Sequence, residues 1–267
     1  MHKTLEFPDL LRLIDERSTA FGAAVASAPS LDAQVPTCPE WTLFDLVRHL
    51  GEGRRKWAAI VAAGPADAPP APSAWAAPSA PREREALLDW WAASVRLLLD
   101  ALWESGPDRD CWTWWNTSQS PQTAGAAARH QLQEVALHTY DAQITAGAPR
   151  PLPDEVALDG VEEFLSTCCA TTSAWPHEPA AVDYHAAEGR SWRLVLSADG
   201  ARAARLPEPG TAPATAAGED PYPAGASLRG TAGELVLALY GRVPVDSLKA
   251  EGDRRLFDQL LAWDPDE

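Results

Sequence analysis

Four stretches of helical apolar spacing, each more than twenty residues long, fill the first 146 residues of this 267-residue chain. Segments that cannot continue a helix separate them. In residues 4–28 Leu5, Leu10, Leu11, Leu13, Ile14 and Phe21 recur at near-helical intervals. The loop SLDAQVPTCPEWT follows, with two prolines. Thr42 and Asp45 then form a capping signal that opens a second helix, whose core stripe is Leu43, Leu46, Val47, Leu50, Trp57 and Val61. The run PADAPPAPSAWAAPSAPR at 65–82 is too rich in proline to be anything but a long loop. A third helix covers REREALLDWWAASVRLLLDALWES, and a fourth runs from about Thr123 to Ala146 with Gly147 as its cap. Four long helices joined by loops predict a four-helix bundle over residues 1–150.

The pattern changes after APRPLPDE. DGVEEFLSTCCATTSAW reads as a helix, and SWRLVLS, ARAARLP and GASLRG read as short strands between polar or Gly-rich breaks. Thr231 and Glu234 form a capping box that opens TAGELVLALYGR, and a last helix covers about Asp253 to Ala262. Residues 151–267 are therefore expected to form a smaller α+β domain, which makes the whole chain α+β.

Charge and cysteine usage narrow the function classes. There are 22 basic and 38 acidic residues, so the formal charge is 22 − 38 = −16. A surface this acidic does not suit nucleic acid or anionic membrane, which are held by Lys and Arg. No apolar run approaches the ~18 residues of a membrane span. The N-terminal sequence has no apolar signal region. Cys38, Cys111, Cys168 and Cys169 form no CxxC pair, so a reduced cytoplasmic protein is expected, with its thiols as small buried hydrophobes. The partners expected are small molecules, and the protein a monomer or homodimer.

Chemistry concentrates in HQLQEVALHTYDA, on the fourth helix. At ~100° per residue, His130, Glu134, His138 and Asp141 fall within an arc of roughly 80°. Leu137 and Ile144 border the arc on one side, and Val135 and Ala142 on the other, so it should face the bundle interior. Glu134 and His138 stand four apart and meet over one turn, as two ligands of one metal would. His130 lies ~12 Å along the axis from His138, too far to share an ion bound at ~2 Å. A third ligand must come from another helix, and His49 in LVRHLGE is the best candidate. Two histidines and a glutamate would leave an open coordination position, the pattern of a catalytic zinc. Asp141 could orient a ligand imidazole. The bland alternative is a chance pair beside a packed histidine. His2, His177 and His185 fall in expected loops and carry no assigned role. Trp112, Trp114 and Trp115 in CWTWWNTSQSPQ anchor that loop, or suit a bulky aromatic substrate.

Three segments carry a resemblance. VPTCPEWTLFDLVRHLGE, HQLQEVALHTYDAQ and LRGTAGELVLALYGRVPVDSLKAEGD resemble, in order, signatures of the mycothiol-dependent maleylpyruvate isomerase family. The resemblance implies a DinB-like four-helix bundle joined to a small domain similar to sterol carrier proteins. It implies a divalent metal, usually zinc, on His49, Glu134 and His138. It also implies mycothiol as thiol cosubstrate. In the isomerase the thiol adds to a cis double bond, rotation follows, and elimination leaves the trans isomer. Related DinB-like proteins resemble thiol S-transferases. Arg229 and Arg242 match the family's C-terminal pattern, and either is suited to a substrate carboxylate. Arg229 is favoured, because Arg242 is equally explained as a cation at a helix C-terminus. Two other functions compete. A metal-dependent hydrolase would use the same ligands, with His130 or Asp141 as base. A non-catalytic module would only bind a small molecule.

Overall fold

The computed structural model describes residues 4–76, 78–207 and 223–264; His2 lies outside them. The chain divides into two compact units, one of 1–114 with 122–152, the other of 115–121 with 153–267.

In the first unit, α1 (Phe7–Ser27), α2 (Leu43–Ala63), α3 (Arg84–Ser105) and α4 (Ala124–Thr145) form the bundle. α1 packs on α4 and α3, and α2 packs on α3 and α4. The core joins Phe21 and Val25 of α1 to Leu43, Leu46, Val47 and Leu50 of α2, with Leu87, Trp91 and Val95 of α3 and Val135 of α4. α2 starts where the sequence says it should: Thr42 Oγ1 accepts from the Asp45 amide, and the Asp45 carboxylate accepts from the Thr42 amide. Gly147 follows the end of α4 at φ +71°, a left-handed conformation that glycine adopts without strain. The segment before α2 is more ordered than a loop. Gln34–Val35 (β1) and Cys38–Thr42 (β2) pair as a small antiparallel hairpin.

α4 is the central helix. Of its 22 residues 14 are buried, among them His130, Gln131, Gln133, His138, Thr139 and Asp141. Its polar arc therefore does lie inside the bundle, where each group needs a partner.

In the second unit, α5 (Asp154–Glu163) runs on into a wider π-helical turn at Phe164–Cys169. The helix thus begins earlier than DGVEEFLSTCCATTSAW suggests and stops at Cys169. Five strands follow in the spatial order β5-β4-β3-β6-β7: β3 (Ala180–Ala186), β4 (Ser191–Ser197), β5 (Gly200–Arg205), β6 (Ala226–Gly230) and β7 (Lys249–Gly252). β3 and β6 are parallel and the other pairs antiparallel. α6 (Ala232–Leu239) and α7 (Arg255–Ala262) complete the unit, and the Thr231–Glu234 capping box opens α6. β4 alternates as a half-buried strand should, with Trp192, Leu194 and Leu196 inward. β3 corrects an expectation: His185 sits in the middle of the sheet rather than in a loop, with Nδ1 2.9 Å from Ser191 Oγ. His177 is in a loop, its ring against Trp175.

Candidate metal centre and its cavity

Leu43, Leu46, Val47 and Leu50 are among the apolar residues that α2 turns to the core, and His49 stands at the edge of that stripe. Glu134 and His138 lie one turn apart on α4, the helix against which α2 packs. The donor atoms of His49, Glu134 and His138 all fall within 4.8 Å of one another. Glu134 Oε2 is 3.8 Å from His49 Nε2 and 4.0 Å from His138 Nε2. The two imidazoles meet edge to face, with centroids 5.4 Å apart.

The three residues differ in how firmly they are held. The His138 side chain is only 9 % exposed, Glu134 is 31 % exposed and His49 is 44 % exposed. His138 Nδ1 lies 2.8 Å from Asp141 Oδ2, and Asp141 is fully buried. Thr37, in the turn of the β1–β2 hairpin, donates its hydroxyl to the other carboxylate oxygen at 2.6 Å. A carboxylate can only accept, so the ring proton sits on Nδ1. Nε2, the atom facing Glu134, then presents its lone pair. Cys38 Sγ is 3.9 Å from Asp141 Oδ2 and belongs to a second donor cluster with His138 and Asp141. Because the 2.8 Å contact in that cluster is already a hydrogen bond, it is better read as the support of His138 than as a second ion site.

Electrostatics favour an ionised Glu134. Its burial opposes the charge, but the hydrogen bond with His49, and the positive charge that His138 and His130 bring when protonated, outweigh it. Its carboxyl is held well below the usual glutamate range. The donor set fits a divalent cation. Two ligands of an ion bound at ~2 Å stand no more than ~4 Å apart, and both Glu134 separations meet that limit. Two nitrogens and one carboxylate oxygen are donors that zinc accepts, with one tetrahedral position left over.

Residues 11–143 match the mycothiol maleylpyruvate isomerase N-terminal domain, and residues 155–259 match the MDMPI C-terminal domain. The chain belongs to the mycothiol-dependent maleylpyruvate isomerase family. Among solved structures it is similar to the mycothiol-dependent maleylpyruvate isomerase, at 15 % identity and TM-score 0.56, over 92 % of this chain and 93 % of that one. A histidine-to-alanine mutant of that isomerase matches over the same shares at 14 % identity and TM-score 0.56. At such identities the likeness concerns the fold. No curated protein matches the chain.

Within this member of the maleylpyruvate isomerase family, the candidate ligand set borders a cavity of about 350 Å³. His49 and Glu134 lie on its wall, together with His130 and Gln131 of α4 and Lys56 and Trp57 of α2. His130 lies outside the cluster of His49, Glu134 and His138 but shares this wall with two of them. Its ring lies between the indoles of Trp57 and Trp114, with centroids 6.1 and 5.7 Å away. Trp112 and Trp114 also line the cavity, while Trp115 is buried in the second unit.

Several site residues have partners that no local pattern in the sequence reveals. Trp41 on β2 lies against His49 at 4.6 Å and His138 at 6.1 Å, and Thr37 reaches Asp141 across 104 residues. Arg54 is fully buried and donates to Gln131. The family tail pattern places Arg229 on β6, with Nε 3.9 Å from Glu251 and about half its side chain exposed. Arg242 donates to the Tyr240 carbonyl at the end of α6, which accounts for its charge there.

Proposed function

We propose that this chain is a metal- and mycothiol-dependent enzyme acting on an electrophilic small molecule, as a maleylpyruvate-type cis–trans isomerase or a thiol S-transferase. The observation that carries this reading is the convergence of His49, Glu134 and His138, two of which, His49 and Glu134, line a cavity large enough for a small substrate. These three residues would hold the ion, zinc by preference. When bound, the metal would supply a positive charge that lowers the pKa of a thiol at the open position and keeps it as the nucleophilic thiolate.

The chain's own groups do the rest. Asp141 fixes the tautomer and the direction of His138, so that the ring nitrogen facing Glu134 is the basic one. Glu134 contributes the negative charge that offsets a divalent cation. Trp41 limits the swing of the exposed His49 ring. The indoles around the cavity keep water from an attacking sulfur and strengthen local electrostatics. Arg229, on β6 of the second unit, matches the family's C-terminal pattern and carries a fork that can bind a carboxylate bidentately. The four cysteines form no disulfide with one another, which suits a reducing cytoplasm.

The test is metal content by mass spectrometry of the purified protein, beside His49→Ala and His138→Ala, followed by thiol-dependent turnover. About one divalent ion per chain, lost in both variants together with turnover, is the expected result. A wild type that takes up no metal on reconstitution, or a metal-free variant that keeps turnover, would refute the reading.

A further inference from the structure

The cavity beside the ligand set has walls that a small dianion does not need. Trp57, Trp75, Trp112 and Trp114 all line it. Trp114 leaves 48 % of its surface exposed, and an indole left open on a cavity wall gains most by covering its face with another apolar surface. Tight recognition of two carboxylates calls for converging Arg or Lys. Among the described residues on this wall there is no arginine, and its one lysine, Lys56, shares it with two acids, Glu52 and Glu134.

One polar feature is built with more care. Arg54 donates Nη1 to the Gln131 backbone carbonyl at 3.0 Å and to its side-chain Oε1 at 2.5 Å. Arginine has donors only, so it fixes which end of the Gln131 amide it meets. The oxygen is taken by Arg54, and the NH2 end is what Gln131 has left to offer. Gln131 is nearly fully buried and yet lines the cavity. Arg54 has two further nitrogens, Nε and Nη2, that are buried without a hydrogen-bond partner among the described residues. Such a guanidinium costs the fold stability, which a plain packing residue would avoid. Its service is to aim the Gln131 amide.

We propose that this cavity selects a flat aromatic electrophile with a conjugated carbonyl, its ring covered by the indoles and its oxygen bonded by the Gln131 NH2. The inference rests on the reading of His49, Glu134 and His138 as the metal centre, since that is what makes the ligand a substrate. It is a statement about binding and needs no bond to form or break. Arg54 acts here as a positioning residue, through Gln131.

The test is calorimetric titration of the purified protein without thiol, so that nothing turns over. The probes are 4-phenyl-3-buten-2-one, a flat aryl enone, and maleate, a small dianion. The enone is expected to bind at least about tenfold tighter than maleate. Trp114→Ala should weaken the enone by about tenfold and leave maleate unchanged; the half-exposed position makes this variant safe for folding. Gln131→Leu, close in size but without donors, should weaken the enone about five- to tenfold. Arg54→Met should give the same loss only if Gln131 is released. Maleate binding as tightly as the enone, or Trp114→Ala leaving the enone unaffected, would overturn the proposal. Metal content is read on the same samples. A chain without metal that still prefers the enone defeats the metal reading alone, and a metal-loaded chain without that preference defeats this inference alone.

Discussion

Asp141 is the most informative single perturbation, because it touches no substrate and yet should control the metal. It is fully buried and accepts from Thr37 Oγ1 at 2.6 Å and from His138 Nδ1 at 2.8 Å. Asn has nearly the same shape, but its single oxygen can serve only one of these donors and its NH2 must face the other. Losing one hydrogen bond to a charged acceptor removes about 1.5–3 kcal/mol. The metal-free Asp141→Asn protein should be destabilised by that amount, measured by urea unfolding in the presence of a chelator. The effect on the ion is separate. Without the carboxylate, His138 loses the partner that keeps its proton on Nδ1, and metal affinity should fall about 10- to 100-fold, or about 1.4–2.7 kcal/mol. Competition against a chromophoric chelator reads this directly. Thr37→Val is the control: it removes a donor to Asp141 and leaves the His138 contact, so it should cost stability with a smaller loss of affinity. If Asp141→Asn binds zinc as tightly as wild type while His138→Ala does not bind it, then Asp141 does not position the ligand and the reasoning is wrong.

Other consequences are simpler to state. A Cβ on Gly51 would overlap the six-membered ring of Trp90, whereas one on Gly53 would meet nothing within 4 Å. Urea unfolding should therefore show Gly51→Ala destabilised by about 1–3 kcal/mol and Gly53→Ala stabilised by about 0.5–1 kcal/mol. Burial, aided by the neighbouring Asp110 charge, pushes the Cys111 thiol up from 9.0 to about 11, and burial with Glu163 pushes Cys169 up to about 12. A thiol-specific reagent at pH 8 should leave both unlabelled in the native protein and reach them on unfolding. The sign follows from linkage. The folded state keeps Cys111 protonated, so its contribution is whole below pH 9.0 and is lost as pH rises toward about 11. Replacing Arg229 by Ala should raise KM for a carboxylate-bearing substrate with little change in metal content.

How far the sequence carries depends on how local the physics is. Helix starts at Thr42 and Thr231 are legible because the cap and its partner lie three residues apart. Glu134 and His138 are legible for the same reason, and His49 follows from the apolar stripe it borders. β3 is not legible, because Ala181, Val182, Asp183 and Tyr184 are all buried and no alternation results. Asp183 would argue against a buried strand on its own. It is tolerated because Arg193 on the next strand binds it with two nitrogens at 2.6 and 2.8 Å, a cross-strand contact that no window of sequence displays. The support of the candidate metal centre is hidden in the same manner. Thr37, Trp41 and Cys38 sit in a short proline-rich stretch that reads as a loop, and only the hairpin brings them against α4 and His49.

The unequal hold on the three candidate ligands bears on how the site would take up an ion. His138 is pinned by a buried carboxylate, which is itself tied to Thr37, so its direction is set before metal arrives. Glu134 is kept ionised and lies between the two imidazoles. His49 alone is restrained mainly by stacking on Trp41 and keeps 44 % of its side chain exposed. The ordering entropy of binding therefore falls chiefly on one side chain, and the other two donors are already fixed. Substitution at Trp41 should then act through His49. Trp41→Ala frees the ring, so metal affinity should fall while the buried His138–Asp141 pair is undisturbed. Loss of affinity with an unchanged histidine Nδ1–H signal in the chelated protein is the expected pattern. An unaltered affinity would mean that His49 needs no restraint from β2.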